Sequence, residues 1–142
     1  MKPHGVGEAL ERHGGVIAGQ ARYEAVLPAL PSSVAKARQA VVRFGGDHGV
    51  NCQNLALAVS EAVSNAVVHA LADQSDEAVY VEAAVDESAV VVTVRDRGIG
   101  IRPYPNPREG GFGLPLIKKT ADQVAVSSSD SGVSIQMRFM RR

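Results

Sequence analysis

The 142-residue chain is short of cysteine, of net charge and of long apolar runs. Its one cysteine, Cys52, cannot form an intrachain disulfide, and a cysteine-rich zinc site is excluded with it. Lys and Arg number 15 and Asp and Glu number 15, so no general electrostatic pull toward nucleic acid or an anionic membrane exists. No apolar run reaches the roughly 18 residues that a membrane-spanning helix needs. The opening residues Met1 to Glu8 also lack the apolar stretch of a signal peptide, so a cytoplasmic location is expected. What remains is 45% hydrophobic and 21% charged, a composition that suits one ordinary domain with its own core.

Residues 1–19 carry five glycines and no clear period, and are expected to be a flexible tail ahead of a single domain over residues 20–142. Arg22 to Leu27 reads as a strand ended by Pro28 and Pro31. Ser32 or Ser33 is placed to cap a helix from about Val34 to Phe44, which Gly45-Gly46 should end. Asn51 to Ala70 reads as a long second helix. Two β-branched runs, Val79 to Val85 and Ala89 to Val94, flank Asp86-Glu87-Ser88 as a hairpin. A third helix is expected near Leu114-Pro115, because proline is tolerated in a first turn. A second hairpin, Val124 to Ser128 and Val133 to Phe139, turns at Asp130-Ser131-Gly132. The order β-α-α-β-β-loop-α-β-β predicts an α+β fold. It is a two-layer sandwich whose mixed, mostly antiparallel sheet is covered by helices on one face. Strand and helix do not alternate throughout, which argues against a dinucleotide-binding doubly wound sheet.

The long helix has a small-residue core stripe through Leu55, Val59, Ala62, Val63, Ala66 and Ala70. Glu61 and Asn65 stand four apart, and the helical wheel puts them together on the side opposite that stripe. A solvated amphipathic face would look the same. Asn is a poor helix former, however, and costs roughly half a kcal/mol relative to Ala. A Glu-x-x-x-Asn pair offers a base and a neutral oxygen ligand on one line, which suits hydroxyl activation beside a metal held mainly by phosphate.

Two glycine-rich segments follow. Asp96-Arg97-Gly98-Ile99-Gly100 leaves a strand with an acid that can accept from an exocyclic amine and glycines that let backbone approach a ligand, although a plain tight turn has the same composition. Gly110-Gly111-Phe112-Gly113-Leu114 opens the third helix with backbone N–H groups of the kind that bind anions, although a flexible joint would read alike. Neither segment is a P-loop or a G-x-G-x-x-G fingerprint. Between them Pro103, Pro105 and Pro107 forbid a helix. The stretch suits a short lid, with Arg102 and Arg108 as phosphate neighbours.

In this order, Glu-x-x-x-Asn, Asp-x-Gly-x-Gly and Gly-x-Gly-Leu resemble the GHKL, or Bergerat-fold, ATPase superfamily. Within it, Ser60-Glu61-Ala62-Val63-Ser64-Asn65-Ala66 and Val68-His69-Ala70 resemble the small bacterial anti-sigma-factor serine kinases, over about residues 20–140. The resemblance implies ATP and Mg²⁺ as cofactors, with Asn65 as metal ligand and Glu61 as the base that takes a serine proton. It implies that Asp96 binds the adenine amino group and that Gly98 and Gly100 shape the pocket floor. Gly111, Gly113 and Leu114 would present N–H groups to the phosphates, with Arg108 beside them. The implied partners are a sigma factor and an anti-anti-sigma protein of the STAS fold, whose serine is phosphorylated. A homodimer built on Arg22 to Phe44 is implied as well. Phe112 departs from the polar or basic residue that the branch often carries there. Two other readings stay open: an ATP-binding regulatory switch without kinase activity, and the ATPase part of a split histidine kinase.

Overall fold

The structure is a computed structural model that describes residues 10–13, 21–72, 78–96, 113–129 and 132–142. Six strands form one sheet: β1 (Leu10–His13), β2 (Arg22–Pro28), β3 (Ala78–Val85), β4 (Ala89–Asp96), β5 (Gln123–Ser129) and β6 (Gly132–Met140). Their order across the sheet is β1-β2-β3-β4-β6-β5, and every ladder is antiparallel. Among the described residues three helices accompany them: α1 (Ser32–Gly46), α2 (Cys52–Ala72) and α3 (Gly113–Thr120).

Alternation along the strands decides which face is covered. Tyr23, Ala25 and Leu27 of β2, Val79, Val81 and Ala83 of β3, Val90, Val92 and Val94 of β4, and Met137 and Phe139 of β6 are all buried. They join Ala37 and Val41 of α1, Leu55, Val59, Ala62 and Val63 of α2, and Ile117 of α3 in one core. α1 packs over β2 and β3, α2 over β3, β4 and β6, and α3 over β5, with α2 touching both other helices. The α+β two-layer arrangement is thus the one the hairpin pattern predicts, with the helices side by side in the order α1-α2-α3.

Three local expectations are corrected. Leu10–His13, assigned to a flexible tail, is an edge strand paired with Tyr23–Val26. Four residues are too few to show a period, and it is pairing with β2 that makes them a strand. Neither Ser32 nor Ser33 caps α1, since Pro31 occupies the cap position without a side-chain bond. Ser33 lies inside the first turn, and its hydroxyl donates to the Pro28 carbonyl at 2.7 Å, tying α1 to the end of β2. α1 includes Gly45 and stops at Gly46, two residues beyond the expected Phe44, with Asp47 as its C-cap. The left-handed residue is Gly49, at φ +76°, in the turn before α2. There Asn51 caps α2, with its Oδ1 accepting from the Asn54 N–H at 3.0 Å.

Candidate functional site

The direction of each element decides which end of the sheet collects the candidate residues. β4 starts at Ala89, opposite Met140 of β6, and ends at Asp96, opposite Val79 of β3. The first turn of α2 sits at the Met140 end, where Asn51 and Asn54 line a small cavity with Thr120, Met140 and Arg142. The last turn of α3 is at the same end, because the Asp122 carboxylate just beyond it accepts from the Met140 N–H at 2.8 Å. Both helices therefore run so that the C-terminal half of α2 and the N-terminus of α3 lie toward the Asp96 end. The structure brings Asn65, Asp96, Gly113 and Leu114 to one end of the sandwich, with Glu61 one turn before Asn65.

Glu61 and Asn65 are half-buried. Half-burial puts Asn65 at the margin of the core, with Glu61 beside it on the solvent side. Ser60 marks the other margin, where its Oγ accepts from Arg38 Nη1 of α1 at 3.5 Å. At ~100° per residue, Asn65 is ~140° from Ser60. With α1 on the Ser60 flank and α3 on the opposite side of α2, the Glu61–Asn65 flank is the one nearer α3. Leu57 and Val68, 48% and 62% exposed, face solvent between the two margins. Asn65 is thus turned toward the α3 side of α2, with Glu61 between it and the exposed Val68.

Asp96 is 4% exposed and, with Ser33, is one of two buried polar side chains among the described residues. Burying a carboxylate is costly unless donors compensate it. One donor is the Val133 N–H, 3.3 Å from Asp96 Oδ1. The residue before it, Gly132, has φ +128° and leaves no Cβ against Asp96. By sequence Gly132 belongs to the turn of the second hairpin and Val133 to its strand, with no motif marking either. The only signal for either was the hairpin that sets β6 beside the end of β4.

α3 begins at Gly113, with Leu114 half-buried behind it and Pro115 in its first turn. Its first-turn N–H groups have no intrahelical partners and carry the positive end of the helix dipole, a setting that favours anions. Gly98, Gly100, Arg108 and Gly111, with the proline-rich stretch between, lie outside the described residues. Among the described residues no three His, Cys, Asp or Glu side chains gather as a metal centre. A cation at Asn65 would accordingly take most of its ligands from a bound phosphate chain, as Mg²⁺ does.

A concavity of about 550 Å³ is on the uncovered face of the sheet and is lined by Arg22, Glu24, Tyr80, Glu82, Thr93 and Arg95. Its charged groups are already engaged. Arg22 pairs with Glu82, and the Arg95 guanidinium lies 5.3 Å from the centre of the Tyr80 ring. None of the candidate residues lines it. Among the described residues no helix is long and apolar enough to cross a membrane.

A buried acid at a strand end, a Glu-x-x-x-Asn helix and the N-terminus of α3 thus lie toward one end of the sandwich. Residues 27–139 match the histidine kinase-like ATPase domain, and the chain belongs to that family. Among curated proteins it is similar to the anti-sigma F factor of Oceanobacillus iheyensis, 31% identical over 91 residues, which are 56% of this chain and 62% of that protein. Its identity to the anti-sigma F factor of Heyndrickxia coagulans is 34% over 93 residues, 56% of this chain and 63% of that protein. For the one from Halalkalibacterium halodurans the identity is 33% over 81 residues, 49% of this chain and 56% of that protein. The matched stretches thus cover less than two thirds of each relative's own length.

Proposed function

We propose that the chain is an anti-sigma factor with ATP-dependent serine kinase activity. In this reading it phosphorylates a STAS-type anti-anti-sigma protein and holds a sigma factor when that antagonist is inactivated. The observation that carries the nucleotide part is the buried Asp96 carboxylate at the end of β4, at the same end of the sandwich as Asn65 and the N-terminus of α3. The anti-sigma part is supported by the names of the relatives.

Each residue then has a task. Asp96 accepts a hydrogen bond from the adenine amino group. Asn65 gives a neutral oxygen to Mg²⁺, which when bound neutralises the phosphate oxygens and orients the γ-phosphate. Backbone N–H groups from Gly111, Gly113 and Leu114 receive phosphate oxygens, with Arg108 adding charge. Gly98 and Gly100 let backbone pass close to the base. Glu61, one helical turn from Asn65, takes the proton from the substrate serine as its oxygen attacks the γ-phosphorus. The bond from that phosphorus to the bridging oxygen breaks, and ADP leaves. Phosphoryl transfer asks mainly for positioning and charge stabilisation, so one base and one metal ligand are a sufficient protein contribution.

A switch that only binds ATP would need no base, and Glu61 favours the kinase over that reading. The protein is proposed to work in the cytoplasm as a homodimer, without direct contact to nucleic acid or membrane. The test is incubation of the full chain with [γ-³²P]ATP, Mg²⁺ and the STAS proteins of the same genome. Label on a partner serine supports the kinase. ATP binding and sigma capture with no labelled partner would select the switch.

A further inference from the structure

The start of β6 meets the end of β4 more closely than strand pairing alone requires. Gly132 has φ +128°, in the region that residues with a Cβ rarely adopt. A Cβ placed there would lie 2.3 Å from the Asp96 carbonyl oxygen and 2.9 Å from Asp96 Oδ1. Both distances are far inside van der Waals contact. Strand pairing limits how far the Asp96 backbone can withdraw. Asp96 is paired with Val79 on its other side, and its neighbour Arg95 is paired with Ser134. The missing side chain at 132 is therefore what lets the next N–H, that of Val133, reach Asp96 Oδ1.

We propose that Gly132 is a positioning residue for the Asp96 carboxylate, and that through it Gly132 sets both adenine affinity and the preference for adenine over guanine. The proposal rests on the nucleotide site described above. An ionised carboxylate has about four acceptor directions. Engaging Oδ1 with a backbone donor fixes the plane of the group, so its other directions point where the fold aims them. Adenine presents an amino donor at its six position. Guanine presents a carbonyl there, and two acceptors face to face repel. A carboxylate that loses this donor is held less firmly and loses grip on the first, while the second, which it does not bind through that group, is unaffected.

The experiment measures ATP and GTP affinity by calorimetry for the wild-type full chain, Gly132→Ala, Asp96→Asn and the double variant. If Gly132 acts through Asp96, Gly132→Ala weakens ATP about tenfold, on the scale of one charge-assisted hydrogen bond. GTP affinity stays level, so the ATP:GTP ratio falls by the same factor. In the Asp96→Asn background Gly132→Ala then costs nothing further. Equal loss for both nucleotides, an unmoved ratio, or full additivity in the double variant would each overturn the proposal while leaving the ATP site standing. Should Gly132→Ala not melt cooperatively, an amide-to-ester replacement at Val133 removes the donor alone and must lower the same ratio. A wild-type chain that binds neither nucleotide removes the nucleotide reading, and this one with it.

Discussion

Arg138 Nη1 donates to Asp86 Oδ2 at 3.0 Å, joining β6 to the turn between β3 and β4. Asp86 Oδ1 also accepts from the backbone N–H groups of Ser88 and Ala89, each at 2.8 Å. Those two bonds first, and Arg138 after them, lower the Asp86 pKa from 3.8 to about 2. A carboxyl whose pKa is lower folded than unfolded contributes stability above its unfolded pKa and loses it as pH falls through the folded value. Stability should therefore decline between about pH 4 and pH 2, and Asp86→Asn should flatten that part of the profile. Urea midpoints at pH 6, 4 and 3 for both proteins test it. Parallel profiles would show that the turn is not held by the charged form.

Gly45 and Gly46 are adjacent and should respond to alanine in opposite directions. A Cβ on Gly45 would come 2.2 Å from Leu55 Cδ2, and Leu55 is fully buried. Gly45→Ala should destabilise by about 1–3 kcal/mol, the usual cost of overfilling a packed helix contact. A Cβ on Gly46 meets only Cys52 Sγ, at 3.4 Å on the surface. Gly46→Ala should instead stabilise by up to about 1 kcal/mol through helix propensity. Urea denaturation of the two variants gives the signs, and a common sign would contradict this packing.

Asn65→Ala should abolish Mg²⁺-dependent ATP binding at little cost in stability. The side chain lies at the margin of the core stripe, and Ala gains roughly half a kcal/mol as a helix former. Calorimetry with and without Mg²⁺, beside a thermal melt, separates the two effects. A melting temperature lowered by several degrees with Mg²⁺ dependence intact would make Asn65 a structural residue.

Much of the fold was legible because its hairpins carry their own signals. Val79–Val85 and Ala89–Val94 are β-branched runs, and Asp86-Glu87-Ser88 is a turn by composition. The long α2 announced itself through the small residues that let it lie on the sheet. Less legible were features made by tertiary contact. Leu10–His13 is a strand only because β2 offers an edge, and Ser33 turns its hydroxyl to Pro28 because α1 starts tight against β2. The same holds for the site. Asp96, Asn65 and Gly113 were candidates from residue type and spacing, but their meeting at one end of the sandwich follows from helix directions. Gly132 and Val133 sit 36 and 37 positions beyond Asp96, too far for any local motif to connect them.

The central claim is that Glu61 is the base of a kinase whose nucleotide site stands without it. Glu61→Gln keeps the shape and helix propensity of the residue and removes its basicity. ATP affinity and sigma binding should therefore match the wild type, because neither needs a proton acceptor. Phosphorylation of the STAS serine should fall by ~10²–10⁴, the usual worth of a general base. The decisive measurement pairs ATP affinity with the single-turnover phosphorylation rate in this one variant. Unchanged affinity with a rate down by that factor is the predicted result. A wild-type rate would contradict the assignment, and joint loss of affinity and rate would make Glu61 a residue that orders the site.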